Sequence, residues 1–318
     1  MFRTRVAPSP TGYLHLGFVR TVLFGKLMAI KESGVCYFRL EDTDQNRLMA
    51  ESPKKVLSGL SRLGLDLEEG CSLHGQGETD AIFGIYQNGS FGPYIQSLRN
   101  PIYHQHAQNL IDRRLAYWSY ISPEEKENLQ KIKQVTKQPI DYFTICSDKS
   151  GDKLYQSIQQ GLEDSAKPAL LYKIKRGAIV HCSDILLGPS QFDLNLEEDF
   201  TILKSDGFPS YHLAHLIDDN LMQTSLVIRT QEWGASLGRH TQMFVDYWGI
   251  DKVPGYMHLP FVLGTTGNKK MSKRDGNVNT ELYFQAGYTE EAIINYLAFL
   301  GWNPGTDKEL YLDQNDFS

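Results

Sequence analysis

The chain has 318 residues, 41% of them hydrophobic, with a formal net charge of −6 at pH 7. That is enough apolar material for a core shared among two or three modules, while the acidic balance points away from a chain that binds nucleic acid through overall charge and leaves that work to local basic patches. No apolar run approaches the ~20 residues of a membrane span and the first residues form a charged strand rather than a leader, giving a cytoplasmic expectation; Cys36, Cys71, Cys146 and Cys182 are too scattered for a zinc site or a disulfide framework.

The chain opens on a short alternating strand that Pro8 and Pro10 stop. Thr11-Gly12 allows a sharp turn, and Val19, Val22, Leu23, Leu27 and Ile30 then recur at helical spacing up to Ser33-Gly34. In an extended segment alternate side chains share a face, so Arg5, Ala7 and Ser9 present a fork-shaped cation, a small gap and a hydroxyl together. Such a set suits a small ligand bearing a carboxylate. His15 and Gly17 fall where a helix N-terminus offers N–H groups to phosphate, and Gly17 permits close approach to the backbone. By residue type alone the run can also be read as the first strand and helix of an ordinary α/β domain with a surface histidine.

Taken as an ordered whole, Arg5-Val-Ala-Pro-Ser-Pro-Thr-Gly-Tyr-Leu-His-Leu-Gly-Phe-Val-Arg20 resembles the first signature of the class I aminoacyl-tRNA synthetases, and its Ala-Pro-Ser-Pro-Thr-Gly portion is similar to the glutamyl branch. Phe18 departs from the His that ends the general motif, at a position that is loose in that branch.

Val35 to Leu40 is a continuous β-prone run, as in a buried parallel strand, and completes a βαβ unit. Glu41-Asp-Thr-Asp44 follows at its carboxyl end, where open parallel sheets keep their ligands, although an acidic turn is also a common solvated loop. The resemblance implies that Glu41 matches a residue of the amino-acid pocket. A second helix is predicted from Ser52-Pro53, with Ser52 as its cap and Val56, Leu57, Leu60 and Leu63 on one side. Six glycines between Gly70 and Gly92, with little periodicity, predict a long irregular loop.

Phe91-Gly-Pro-Tyr94 and Gln96-Ser97 resemble the family's entry into an inserted module that grips the tRNA acceptor end, with a helix over about 101–115. Arg113, Arg114, Lys131, Lys133, Lys137, Lys173, Lys175 and Arg176 could face phosphates there or be scattered surface charge. Trp118-Ser119-Tyr120 stands where zinc-bearing members place cysteines, so no zinc is expected.

Phe200 to Lys204 reads as a strand turned by Ser205-Asp-Gly-Phe-Pro209. On the predicted helix that follows, Tyr211 and His215 are four apart on one face with Asp218 close by, offering hydrogen-bond donors or simply a buried aromatic and a satisfied histidine. The run resembles the glutamyl branch, in which Tyr211 matches a glutamate contact and His215 a position often held by Asn. Leu226 to Ile228 is a short strand that ends in Arg229, well placed to pair with a carboxylate, and the matching arginine of the family recognises the glutamate side chain. Glu232 lies just beyond.

A helix over 236–248 and an apolar strand over 258–263 lead to Lys270-Met-Ser-Lys-Arg274, which resembles the second class I signature. Its cations would stabilise triphosphate charge in the transition state. Thr289 caps a last helix through Ile293, Ile294, Leu297 and Leu300, similar to a stem-contacting module. The chain stops about where the glutamyl family continues into an anticodon-binding domain.

The expected fold is α/β, a doubly wound, Rossmann-like class I catalytic domain in two halves, 1–98 and 199–258, with an acceptor-binding module over 99–198 and a loop and stem-contact module over 259–318. The resemblance implies glutamyl-tRNA synthesis: ATP-dependent formation of glutamyl-adenylate, then transfer to the terminal adenosine of tRNA, by a monomer using ATP and Mg²⁺ and no membrane. Arg5, Ala7, Ser9, Glu41, Tyr211, His215 and Arg229 would hold the amino acid, and His15, Gly17, Glu232, Lys270, Lys273 and Arg274 would handle ATP. Two other readings are glutamylation of queuosine in tRNA by a short paralogue and a non-catalytic tRNA-binding fragment.

Overall fold

The computed structural model describes residues 1–149, 168–263 and 278–309. Its first half runs β1 (Arg3–Val6), α1 (Leu16–Lys31), β2 (Val35–Phe38), α2 (Ser52–Arg62), β3 (Glu69–Ser72), β4 (Tyr86–Asn88), α3 (Asn100–Asp112), β5 (Ala116–Ser119), α4 (Pro123–Thr136) and α5 (Tyr142–Lys149). The second half runs β6 (Ala169–Tyr172), β7 (Ile179–Asp184), β8 (Gly188–Asp193), β9 (Phe200–Leu203), α6 (Tyr211–Leu221), β10 (Leu226–Thr230), α7 (Leu237–Tyr247), β11 (Gly255–Leu259), α8 (Thr280–Gln285) and α9 (Glu290–Phe299).

An eight-stranded sheet, ordered β4-β3-β2-β1-β10-β11-β7-β8, carries the architecture. β1 pairs in parallel with β2 on one side and β10 on the other, with Thr4 opposite both Cys36 and Leu226. The chain builds outward through β2 and β3, then returns to add β10 and β11 on the opposite flank of β1. This is the doubly wound arrangement, and the order reverses between β1 and β10. All four residues of β1 are buried because both of its faces are covered. The inner stripe of α1, including Val19, Val22 and Leu23, packs with Leu57 and Leu60 of α2 and Ile293 and Leu297 of α9. Full burial of each such side chain contributes on the order of 1.5–3 kcal/mol.

A second large cluster surrounds α3, α6 and α7 and includes Leu213, Leu216, Met243 and Phe244. Beside it lies a three-stranded antiparallel sheet, β5-β6-β9. Its strands come from both sides of the boundary expected at residue 198. The β7–β8 hairpin, inside the span expected for the insertion, instead joins the main sheet through Asp184 opposite Tyr256. Val180, Cys182 and Asp184 point inward and their neighbours outward, a period-two pattern that serves either sheet equally well.

The stretch 70–92 is not one irregular loop, because β3 and β4 pair antiparallel at its two ends. Gly70 hides the strand: its φ is +102°, and a Cβ there would lie 2.1 Å from the Phe38 carbonyl oxygen. Ser52 does not cap α2. Its hydroxyl donates to the Gly12 carbonyl at 2.6 Å and accepts from the Gly12 N–H at 3.3 Å, tying the helix to the first loop. β11 lies a few residues earlier than expected, ending just before Pro260.

Candidate active site

The carboxyl ends of β1 and β10 open into a cavity of about 690 Å³. Loops leaving adjacent parallel strands in opposite directions diverge, so a crevice forms where the strand order reverses. Arg5, Ala7 and Ser9 line it beside His15 and Gly17, and Glu41, Tyr211, Arg229 and Glu232 complete the walls. These sequence-predicted residues thus come from four separate stretches to one space. His215 is not among the lining residues, and Lys270, Lys273 and Arg274 lie outside the described residues.

At the strand-end side, Arg5 and Arg229 converge on one hydroxyl. Arg5 Nη2 donates to the Tyr211 hydroxyl at 3.3 Å, and Arg229 Nη1 donates to it at 3.0 Å. Arg5 is anchored from beneath by Asp219, whose Oδ1 lies 3.2 Å from Arg5 Nε and 2.6 Å from Arg39 Nη1. Arg39 also reaches Glu41 at 3.1 Å, which fixes that carboxylate at the cavity edge. Burial alone would push Asp219 up, but Arg39 and Arg5 hold it well below the usual carboxylate range. Burial raises Glu41 against the pull of the same two arginines.

Arg229 is held differently. Its Nε donates to His258 Nε2 at 2.9 Å, its Nη1 lies 3.1 Å from His240 Nδ1, and its Nη2 is 3.5 Å from the Trp233 carbonyl. The Trp233 ring lies 4.1 Å from that of Tyr211 and narrows this end of the cavity.

His215 sits behind the wall. It is 1% exposed and stacks on Tyr211, ring centroids 5.6 Å apart and planes at 4°. Nδ1 is bonded to Asp219 and Nε2 lies 3.0 Å from the Tyr256 hydroxyl. Burial lowers its pKa to about 4 despite Asp219. With both nitrogens engaged by the protein, its geometry offers support to Tyr211 in place of the expected direct contact with a ligand. Asp218 also faces inward, bound by Arg99, Gln96 and Tyr103 at 2.6, 2.8 and 2.7 Å.

At the helix side, His15 occupies the N-cap of α1 with extended backbone, and its Nδ1 accepts from the Phe18 N–H at 3.1 Å. A neutral ring capping in this way carries its proton on Nε2, as a donor. A Cβ at Gly17 would approach that same Nδ1 to 3.3 Å, so a side chain there would press on the cap. Two anchors bracket the span 264–277. Arg20 Nη1 donates to the Pro260 carbonyl at 2.6 Å, and the Leu16 N–H donates to the Val278 carbonyl at 3.0 Å. Val262 and Val278, the described residues on either side of that span, both line the cavity.

Several of the expected phosphate-facing cations are engaged within the chain. Arg113 donates to the Tyr247 carbonyl at 2.8 Å, Lys133 pairs with Glu198 at 3.0 Å, and Arg176 donates to the Ile140 carbonyl at 3.1 Å. Sequence reasoning passed over Arg39, Asp219, His240 and His258. Arg39 carried a signal, since an arginine inside a buried strand requires a carboxylate partner and Asp218-Asp219 is a ready source. The two histidines carried none.

The chain matches the family model described as tRNA synthetases class I (E and Q), catalytic domain, over residues 1–317. It is 38% identical to the glutamate–tRNA ligase of Flavobacterium psychrophilum over 97% of this chain and 62% of the relative. It is also 38% identical to that of Borreliella burgdorferi, over 99% of this chain and 60% of the relative. The chain thus spans about three fifths of the length of the curated relatives it matches. The crystal structure of a glutamate tRNA ligase from Elizabethkingia meningosepticum in complex with its amino acid superposes with a TM-score of 0.85 at 29% identity, covering 99% of this chain and 64% of the other.

Proposed function

Because the chain belongs to the class I tRNA synthetase (E and Q) catalytic-domain family, we propose that it activates glutamate with ATP and transfers the glutamyl group to the terminal adenosine of tRNA. The observation that carries this reading is the convergence of two guanidinium groups, from adjacent parallel strands, on the Tyr211 hydroxyl at 3.3 and 3.0 Å. A ligand with a carboxylate at each end matches two cations at the mouth of one cavity. The names of the similar proteins supply which dicarboxylate.

In this reading Arg5, Ala7, Ser9, Glu41, Tyr211 and Arg229 bind glutamate, and Glu41 accepts from its ammonium group. The α-carboxylate oxygen attacks the α-phosphorus of ATP and the bond to pyrophosphate breaks. The 2′-hydroxyl of the terminal ribose then attacks the acyl carbon, and AMP leaves. No covalent enzyme nucleophile is needed; the work of the protein is positioning and charge stabilisation. His15 Nε2–H and the N–H groups beside Gly17 meet the nucleotide phosphates, Glu232 lies near the nucleotide, and Lys270, Lys273 and Arg274 stabilise the growing pyrophosphate charge.

Mg²⁺ supplies shielding of the phosphate oxygens. Glu41 and Glu232 are the carboxylates among the described residues that line the cavity, and they would be the oxygen donors open to such an ion beside the phosphates. The small antiparallel sheet and the last helices meet the acceptor end and stem of tRNA, and the chain acts as a monomer. Glutamate-dependent formation of AMP from ATP with tRNA present tests the proposal. Formation that requires glutamate supports it; AMP release indifferent to glutamate would overturn it.

A further inference from the structure

The two arginines differ in how their charge is compensated. Arg5 contacts the Asp219 carboxylate directly. Among the described residues, Arg229 makes no such ion pair: its guanidinium touches two imidazoles, the Tyr211 hydroxyl and the Trp233 carbonyl. Behind His258 a carboxylate, Asp184, lies one ring away, its Oδ2 2.7 Å from His258 Nδ1.

The protonation of this chain of groups follows from its connectivity. A guanidinium only donates, so His258 Nε2 and His240 Nδ1 must both be acceptors. His258 then carries its proton on Nδ1 and donates it to Asp184, while His240 carries its own on Nε2 and donates to His212 Nδ1 at 2.8 Å. Both rings are 0% exposed, and burial together with the charge of Arg229 holds both below the ordinary histidine range. Asp184 is fixed in turn by the N–H groups of Leu186 and Leu187, each at 2.9 Å.

We propose that His258 and His240 are positioning and specificity residues: they aim Arg229 by neutral hydrogen bonds while His258 keeps the Asp184 carboxylate one ring away, so the guanidinium retains an uncompensated charge for the side-chain carboxylate of the amino acid. This rests on the glutamate reading above. Arg5, already paired, serves a carboxylate that glutamate and glutamine share. Selection between the two falls to Arg229, because a cation rewards a carboxylate and has no acceptor for an amide NH₂.

The test moves the negative charge without changing its amount. In Asp184→Asn/His258→Glu the carboxylate comes into direct contact with Arg229; in His258→Gln a neutral acceptor remains and Asp184 stays in place. Calorimetric titration of the full chain with glutamate and with glutamine gives the ratio of their affinities, which a loss of folded protein leaves unmoved. The expected result is a ratio lowered at least about tenfold in the double variant and kept within about threefold in His258→Gln. An unchanged ratio in the double variant overturns the inference, as does a collapsed ratio in His258→Gln, and the latter decides the matter even if the double variant does not fold. An unmodified chain that binds neither amino acid would instead overturn the glutamate reading.

Discussion

Replacing Arg229 by alanine separates recognition from stability. The side chain is 5% exposed and its partners are neutral, so its removal strands no carboxylate; His258 and His240 lose a donor, and the fold loses about 1–2 kcal/mol. The ligand loses much more. Truncating one partner of a desolvated charged hydrogen-bonded pair costs about 2–5 kcal/mol, which is about 30-fold to a few thousand-fold in kcat/KM for glutamate. The assay is glutamate-dependent pyrophosphate exchange with cognate tRNA present, alongside a urea unfolding curve. A fall in kcat/KM with a nearly preserved midpoint is expected. Near-normal exchange would refute the assignment, and a collapsed midpoint would refute the argument that neutral groups hold the side chain.

Arg39→Ala is expected to do the reverse, lowering the unfolding free energy by about 3–5 kcal/mol, because it removes the closer of the two guanidinium groups on buried Asp219 together with the partner of Glu41, and leaves Arg5 as the one guanidinium on Asp219; an unshifted urea midpoint would show the network to be dispensable. His15→Ala removes both the helix cap and the Nε2 donor, whereas His15→Asn restores the cap alone, so stability should recover in Asn by about 1 kcal/mol while AMP formation stays depressed in both variants by about 10²-fold or more. Full activity in His15→Asn would remove the ring from the chemistry. The pH dependence follows from His215, whose pKa is lowered to about 4 from the ordinary 6.5. Between those values the unfolded chain binds a proton that the folded chain refuses, so its contribution is complete above pH 6.5 and is lost as pH falls toward 4, by up to ~1.4 kcal/mol per unit. Urea midpoints at several pH values check this, and His215→Gln should flatten part of the slope.

How far the sequence could be read depended on whether a feature was local. β1, the turn at Thr11-Gly12 and α1 follow from alternation, punctuation and 3.6-residue spacing, and Arg229 could be placed because a short apolar strand ends on it. The β7–β8 hairpin has an equally clear alternation, but alternation names a face and not a partner strand. Its membership in the main sheet is decided by β11, more than sixty residues later. Gly70 concealed β3 because a backbone forced to φ +102° breaks the pattern that would reveal the strand. His215 shows the same limit at the site: helical spacing put it on the face of Tyr211, and only packing decides which of the two reaches the cavity. His258 and His240 are two more histidines until Arg229 is seen between them.

The most direct test of the central claim is aminoacylation of total tRNA with radiolabelled glutamate, followed by nuclease digestion to locate the label. Label on the terminal adenosine, dependent on ATP and lost in Arg229→Ala, is the expected result. Label on an internal modified base, or no label on tRNA at all, would contradict it.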